Sequence, residues 1–305
     1  MNTDNKPYFF VHAPKLVQGI LQEGSHTGAL KITIIVETPV HFGSGQIFID
    51  KNRFIYRLNR ENEEIVLPGS SFKGMIRSFF EAVSESCILS NKDIRCKSNT
   101  KICLACSVFG RLGKKGRAGF SAFRTKEQPQ TEIFCMPKLY GPRIVENNYR
   151  KFYKHSNIYD QISDKSDSNL HYECLCQKAT LHGVITYQGL TRDQLGGLLF
   201  ALGLGWGNDK TLYHKLGYGK PAYFGSIRLE VASVRPEVAP EFIGGSIISC
   251  DKFSKGKLEK LAKAYYREHS ASVSEAVNEF MEKWAVDSIG SDCQWDMSTG
   301  TTPTY

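Results

Sequence analysis

The sequence predicts an α+β fold with a ferredoxin-like βαββαβ core, and three patterns support this prediction. Apolar residues alternate with polar ones over 30–37, which is typical of a strand with one buried face. An apolar stripe at helical spacing follows at 72–83. Strand, helix and strand then occur a second time, in the order of the split βαβ arrangement. This second set lies at 181–187, 191–202 and 227–231.

Further strands surround the first unit. The strand at 30–37 ends before Gly43-Ser44-Gly45, where glycines favour a turn. A β-rich stretch at 46–58 is interrupted by Asp50-Lys51-Asn52. Residues 116–123 are predicted to form the strand that completes the first β-α-β unit.

The first helix begins with residues that suit a phosphate group. Ser70 or Ser71 can cap it by accepting a backbone N–H of the first turn. Gly69 has no side chain to block a phosphate, and a helix start offers free N–H donors. Lys73 and Arg77 lie one turn apart, off the apolar stripe, and would add charge. The alternative is a well-capped core helix with two solvated cations.

The second half is less regular. Residues 191–194, Thr-Arg-Asp-Gln, form a capping box for the second helix. Residues 124–178 lack clear periodicity, which indicates a functional or disordered stretch. Two short helical patterns follow at 255–268 and 272–285, and the polar tail at 288–305 is expected to be mobile.

These patterns predict two regions. The first is a domain over 1–239 that contains a cysteine-rich insert at 87–110 and a further insert at 126–178. The second, at 240–305, is a helical extension with its tail.

The composition favours a folded, basic protein. The chain has 305 residues, of which 41% are hydrophobic, and Lys plus Arg exceed Asp plus Glu by 39 − 31 = 8. This balance suits a polyanionic partner. No apolar run approaches the roughly 18 residues that cross a bilayer, and the first residues do not resemble a signal peptide. We therefore expect a cytoplasmic protein with no membrane partner and with reduced thiols.

Four of the nine cysteines are clustered in the sequence. Cys87, Cys96, Cys103 and Cys106 are separated by eight, six and two residues. Four thiolates of this kind can complete a tetrahedral structural Zn²⁺ site, which would hold an insert that has little core of its own. Buried or free thiols are the alternative, and the fourth ligand could be a His or another Cys instead of Cys87.

Other segments favour contact with nucleic acid. Glycines in Gly217-Tyr218-Gly219-Lys220 allow close backbone approach or a positive φ, and the lysine adds a charge. A plain turn into a strand is the alternative. The basic and aromatic segments 111–126, with Arg111, Lys114 and Lys115, and 138–154 fit a groove lined by phosphate partners and base-stacking rings.

Three segments together resemble the RAMP superfamily. The first is Leu67-Pro68-Gly69-Ser70-Ser71-Phe72-Lys73-Gly74 with Ile76-Arg77-Ser78, and the second is Cys103-x-x-Cys106 followed by Val108-Phe109-Gly110. The third is Leu216-Gly217-Tyr218-Gly219-Lys220-Pro221 with Phe224-Gly225-Ser226-Ile227. They occur in the family's order, across residues 30–232.

The resemblance implies a backbone subunit of a type III CRISPR effector complex, with an RRM-like core. Its partners would be a CRISPR guide RNA, a target RNA, neighbouring RAMP subunits and the large polymerase-like subunit. The guide RNA would run along 69–77 and 217–220, and His41 and Ser44 would touch its backbone. Part of 126–178 would be a thumb that wedges between bases of the guide–target duplex.

The resemblance also points to Asp50. Cleaving members of the family carry an Asp between the glycines after the first strand and the helix turn, and Asp50 is the only Asp between Gly45 and Pro68. It would support cleavage of target RNA with Mg²⁺ or Mn²⁺. A turn-forming Asp is the alternative. Two other functions stay open, a non-catalytic capping or adaptor subunit and a stand-alone RNA-processing endoribonuclease.

Overall fold

The computed structural model describes residues 6–88, 95–98, 100–137, 149–164, 170–207, 210–234, 252–286 and 289. The strands of the first half are β1 (Tyr8–His12), β2 (Gly19–Ile20), β3 (His26–Val36), β4 (Gly43–Asp50), β5 (Arg53–Leu58), β6 (Arg60–Glu61), β7 (Glu64–Leu67), β8 (Lys101–Ile102), β9 (Gly110–Arg111), β10 (Lys114–Lys115), β11 (Ala118–Phe120), β12 (Phe123–Arg124) and β13 (Thr131–Cys135). Those of the second half are β14 (Tyr149–Tyr153), β15 (Leu170–Leu175), β16 (Thr180–Leu190), β17 (Thr211–Lys215), β18 (Ser226–Val234) and β19 (Ala285–Val286). The helices are α1 (Gly69–Ala82), α2 (Leu104–Phe109), α3 (Tyr159–Asp164), α4 (Arg192–Ala201) and α5 (Lys255–Lys283).

A large antiparallel sheet forms the centre of the fold. Its order is β19-β17-β18-β3-β16-β12-β7-β6, and β11 also pairs with β16. The alternation that predicts β3 corresponds to its burial, because Leu30, Ile32, Ile34 and Val36 are completely buried. The α+β class predicted from the sequence is confirmed.

Helices α1, α4 and α5 contribute to the main core. Phe72, Ile76 and Phe80 of α1 are buried there, as the apolar stripe predicts. Thr191 and Gln194 make the predicted capping box of α4. Gly197 brings α4 close to α1, since a Cβ atom there would lie 3.0 Å from the Phe80 ring.

Two predictions about the helices are wrong. Ser70 and Ser71 do not cap α1, because the helix already starts at Gly69 and its N-cap residue is Pro68, with no side-chain bond. The two helical patterns of the C-terminal region form one helix, α5, since the sequence has no glycine or proline between Gly256 and Lys283.

Part of the stretch predicted to be irregular is ordered. Strands β13 and β15 join β5 and β4 in a second sheet, of order β13-β15-β5-β4. This sheet and α3 enclose a second core with Tyr172, Tyr223 and Phe224. Strand β14 pairs with β1 instead. Residues 138–148 and 165–169, which belong to the predicted thumb and basic segment, lie outside the described residues, as does the tail after 289.

Among the described helices, none combines the length and the apolar character that a membrane span requires.

Candidate nucleic-acid interface and metal centre

A cleft of about 440 Å³ brings the start of α1 and the glycine-rich loop together. The loop, residues 216–220, connects β17 to a short 3-10 turn at Lys220–Ala222. Both segments line the cleft, together with strand β14 and Trp284. The lining residues are Ser71, Gly74, Met75, Ser78, Lys151, Phe152, Tyr153, Lys215, Leu216, Gly217, Lys220 and Trp284.

The cleft carries three lysines. The Lys220 Nζ donates to the Gly217 carbonyl at 2.5 Å, and the Lys215 Nζ donates to the Tyr223 and Phe224 carbonyls at 3.0 and 3.1 Å. The Lys151 Nζ lies 3.8 Å from the centre of the Tyr8 ring. None of the described lining residues is acidic, so the cleft suits an anion.

Burial affects two of these lysines. It lowers the pKa of Lys151 to about 8 and also lowers the pKa of Lys220. An anion in the cleft would favour the charged form of both. The sequence predicts a role for Lys220 but not for Lys215, which is marked only by its place beside the glycine-rich loop. Lys151 belongs to the basic segment 138–154, whose place in the fold the sequence does not predict.

Most of the motif glycines serve packing. Gly217 has φ 79°, and a Cβ atom there would lie 2.1 Å from the His41 carbonyl oxygen. Gly219 has φ 75°, and a Cβ atom there would lie 2.8 Å from the Met136 sulfur. A Cβ atom on Gly69 would collide with the carbonyls of Phe120 and Ser121 at 2.4 Å. Gly74 differs, because it lines the cleft and a Cβ atom there would have no neighbour within 4 Å.

His41 anchors the loop. Its ring is buried, and Nδ1–H donates to the Glu173 carbonyl at 2.7 Å. The His41 carbonyl accepts the Tyr218 N–H at 2.8 Å. Burial lowers the pKa of His41, so the neutral ring is favoured. Ser44 is half-buried in β4, where its hydroxyl accepts the Gln46 N–H at 3.1 Å.

The side chains of Lys73 and Arg77 lie in different environments. Lys73 is half-buried, and desolvation followed by the charge of Arg77 lowers its pKa. Arg77 is buried, which contradicts the expectation that it lies off the buried face. Its guanidinium donates to Glu81 at 2.7 Å and to the Gly110 carbonyl at 2.7 Å, and lies 3.7 Å from the Cys106 sulfur. Neither residue lines the cleft.

Arg111, Lys114 and Lys115 lie on another feature, the β9–β10 hairpin. Arg111 donates to the Ser98 carbonyl at 2.7 Å, and Leu112 at the tip is 96% exposed. The hairpin does not line the cleft, so these three basic residues belong to a separate surface.

The four clustered cysteines form a candidate metal centre. All four are buried, and their sulfur atoms lie within 4.8 Å of one another. Cys87 follows the end of α1, and Cys103 is the N-cap residue of α2, where its sulfur accepts the Cys106 N–H at 3.4 Å. The Cys87 N–H also points at the Cys103 sulfur, at 3.4 Å. Four sulfurs at this spacing, with N–H donors around them, could hold a metal such as Zn²⁺.

Asp50 lies at the tip of the β4–β5 hairpin and does not line the cleft. Lys51 and Asn52, both with positive φ, form the turn, and Asp50 pairs with Arg53 at 2.6 Å. Among the described residues, the four cysteines are the only group of three or more potential metal ligands, and Asp50 belongs to no such group.

Comparison with known proteins identifies the family. Among solved structures, a chain of the Type III-B Cmr-beta bound to cognate target RNA is similar, with 13% sequence identity and a TM-score of 0.40. The match covers 69% of this chain and 61% of that chain, so the present chain spans less than two thirds of it. No curated protein matches. The profile of the RAMP superfamily matches residues 33–230, well over half of the sequence, and the chain therefore belongs to the RAMP superfamily.

Proposed function

We propose that this protein binds the backbone of a guide RNA and is a subunit of a type III CRISPR ribonucleoprotein complex. The observation that carries the proposal is the lysine-lined cleft between α1 and the glycine-rich loop. Membership of the RAMP superfamily and the three sequence motifs support it. Target RNA, neighbouring RAMP subunits and the large polymerase-like subunit are the expected partners.

The chemistry of the cleft favours a sugar–phosphate chain. Lys151, Lys215 and Lys220 supply positive charge, and Ser71 and Ser78 supply hydroxyl groups without adding charge of their own. Gly74 leaves the helix backbone open to close contact. Contacts of this kind neutralise phosphates and do not distinguish base sequences, as a guide-RNA-binding subunit requires.

The strand order supports an RRM-like core. In the order β18-β3-β16-β12, each neighbouring pair is antiparallel, which is the arrangement of the split βαβ fold. In this proposal the cysteine centre is a zinc site that stabilises the insert at 87–110.

Binding of a labelled single-stranded RNA, measured by fluorescence anisotropy at several salt concentrations, tests the proposal. Lys220→Met keeps the aliphatic stem and removes the charge. We expect Lys220→Met and Lys151→Met each to weaken binding severalfold and to reduce the salt slope by about 1. Lys260→Met removes the same charge from the exposed face of α5 and should bind like the wild type. Wild-type protein that binds no RNA at low salt, or cleft variants with unchanged affinity, would contradict it.

Cleavage of target RNA through Asp50 stays a prediction that rests on the resemblance. A hairpin tip could present the Asp50 carboxylate to a bound strand together with Mg²⁺ or Mn²⁺. In the reconstituted complex, Asp50→Ala should abolish cleavage and leave RNA binding intact. If cleavage persists, or if the wild type does not cleave, a non-catalytic capping or adaptor role is favoured.

A stand-alone RNA-processing nuclease fits the cleft less well. Such enzymes usually depend on a histidine as general acid or base. The described residues that line the cleft include no histidine, and His41 beside the loop is buried and bonded to Glu173.

A further inference from the structure

Three tyrosine rings form a column beside the glycine-rich loop. Tyr56 of β5 and Tyr172 of β15 are paired directly in the second sheet, and their ring centres lie 4.8 Å apart with an angle of 11° between the planes. The Tyr218 ring of the loop stacks on Tyr172 at 4.7 Å and 23°. The three rings are therefore nearly parallel and in contact.

The outer ring is held firmly in place. The Tyr218 N–H donates to the His41 carbonyl at 2.8 Å. The His41 ring also packs edge-on against Tyr172, at 5.0 Å. Gly217 and Gly219, on either side of the tyrosine, fit only because they lack side chains. Little conformational freedom is left for Tyr218 to lose when a ligand binds.

This held ring is partly exposed to solvent. Tyr172 is 6% exposed, whereas Tyr218 is 37% exposed although one of its faces is covered by Tyr172. Solvent therefore reaches the part of Tyr218 that Tyr172 does not cover. A large apolar ring in a rigid, partly solvated position is what a planar ligand needs for stacking.

The neighbouring charges indicate which planar ligand fits. Gly217 and Lys220, which lie one residue before and two residues after Tyr218, both line the lysine-lined cleft. A ligand that both stacks on Tyr218 and occupies the cleft must carry flat rings and anionic groups a short distance apart. Single-stranded nucleic acid alternates these two groups along its length, and its bases stack on aromatic side chains.

We propose that Tyr218 is a base-stacking platform, on which one base of the bound RNA continues the Tyr56–Tyr172–Tyr218 column while adjacent phosphates occupy the lysine-lined cleft. This inference rests on the proposed RNA-binding function and adds the residue that would fix the position of the bases. Stacking does not depend on base identity, so the platform sets the spacing of the RNA without reading its sequence.

RNA oligonucleotides with a single 2-aminopurine, placed at successive positions, test the platform. In the wild type, quenching of 2-aminopurine fluorescence should be strong at one position, where the base stacks. Tyr218→Ala should abolish that quenching and weaken binding by about 5- to 100-fold, whereas Tyr218→Trp should retain both. Tyr266→Ala removes a ring of α5 that is stacked on Phe200, and it should have no effect on either measurement.

A second measurement needs no variant. The wild-type protein is titrated with an RNA and with the same sugar–phosphate chain lacking its bases. Weaker binding of the abasic chain supports the platform. Equal binding of both chains, or Tyr218→Ala within about twofold of the wild type, overturns the platform but leaves phosphate binding in place. If neither chain binds at low salt, the proposed function itself fails, and the platform fails with it.

Discussion

Arg77 carries its charge in a place that water barely reaches. Its partner Glu81 is 1% exposed and also pairs with Arg150 of β14. The same guanidinium reaches Gly110 and Cys106, so one side chain links α1 to the cysteine-rich insert. The planar guanidinium presents five N–H donors in a fixed fork, a geometry that a lysine ammonium does not reproduce.

Replacing Arg77 by Ala should therefore affect stability first. Glu81 would keep Arg150 as a cation, so the loss should be smaller than the roughly 3–5 kcal/mol of a buried charge left unpaired, and we expect about 2–3 kcal/mol in the free energy of unfolding. Lys73→Ala, one turn away on a half-buried side chain, should cost about 1 kcal/mol or less. Urea denaturation compares the two variants, and an Arg77→Ala protein as stable as Lys73→Ala would show that the buried pair is not important.

At the scale of elements, helix α5 depends on polar contacts as well as on its apolar face. The Tyr265 hydroxyl donates to the Val83 carbonyl at 2.9 Å, and Glu259 accepts the Gly205 N–H at 2.8 Å. His269 lies 3.1 Å from the Asp193 carboxylate at the start of α4 and 3.6 Å from the Glu85 carboxylate after α1. One imidazole thus connects three segments.

The His269 contacts predict a dependence of stability on pH. The hydrogen bond to Asp193 raises the pKa of His269, burial opposes this, and the charges of Asp193 and Glu85 add to the increase. A pKa raised in the folded state stabilises the protein fully below the unfolded-state value, and this stabilisation is lost as pH rises through the folded-state value. We expect His269→Gln to cost about 1 kcal/mol or less at pH 6 and almost nothing at pH 9.

Thermal unfolding at the two pH values, for the wild type and His269→Gln, checks this prediction. The difference between the two proteins isolates His269 from the buried His155 and His214, whose lowered pKa values act in the opposite direction and destabilise the fold in acid. A difference that is constant or larger at pH 9 would contradict the assignment.

The sequence predicted those elements whose pattern is local. Strand β3 and helices α1 and α4 alternate or repeat within a short window, and the Thr191 cap lies three residues from its partner. The second sheet could not be predicted in this way, because β15 pairs with β5 more than 100 residues earlier in the chain. Pairing between such distant strands depends on which side chains become buried together. This dependence produces no regular hydrophobic period in the sequence.

The same limit applies to the candidate site. Glycine-rich turns and clustered cysteines are recognisable locally, so the loop at 216–220 and the four thiols were found. Lys151 and Lys215 come together only when β14 and β17 reach the cleft, and Tyr218 becomes a stacking ring only through its contact with Tyr172. Arg77 has the sequence environment of a surface cation, and only the position of Glu81 and Gly110 explains its burial.

At the scale of the whole molecule, the cysteine centre and the cleft are connected through α1. Cys87 follows the end of this helix, Arg77 joins its buried side to Cys106, and Ser71, Gly74 and Ser78 on another side line the cleft. A metal bound by the four sulfurs would fix the insert against the helix. Loss of this metal should therefore affect the cleft that we propose binds RNA.

Removal of the metal tests this connection. We expect about one zinc ion per chain in protein purified without chelator, and a fall in the unfolding midpoint of roughly 5 °C or more after its removal. Cys106→Ser should behave like the stripped protein, while Cys135→Ser, a half-buried thiol outside the cluster, should retain both zinc and stability. Measured below the unfolding transition, RNA affinity should fall together with zinc content, because the insert then no longer supports α1. Stripped protein that keeps its midpoint and its affinity would show that the four thiols pack as a metal-free cluster.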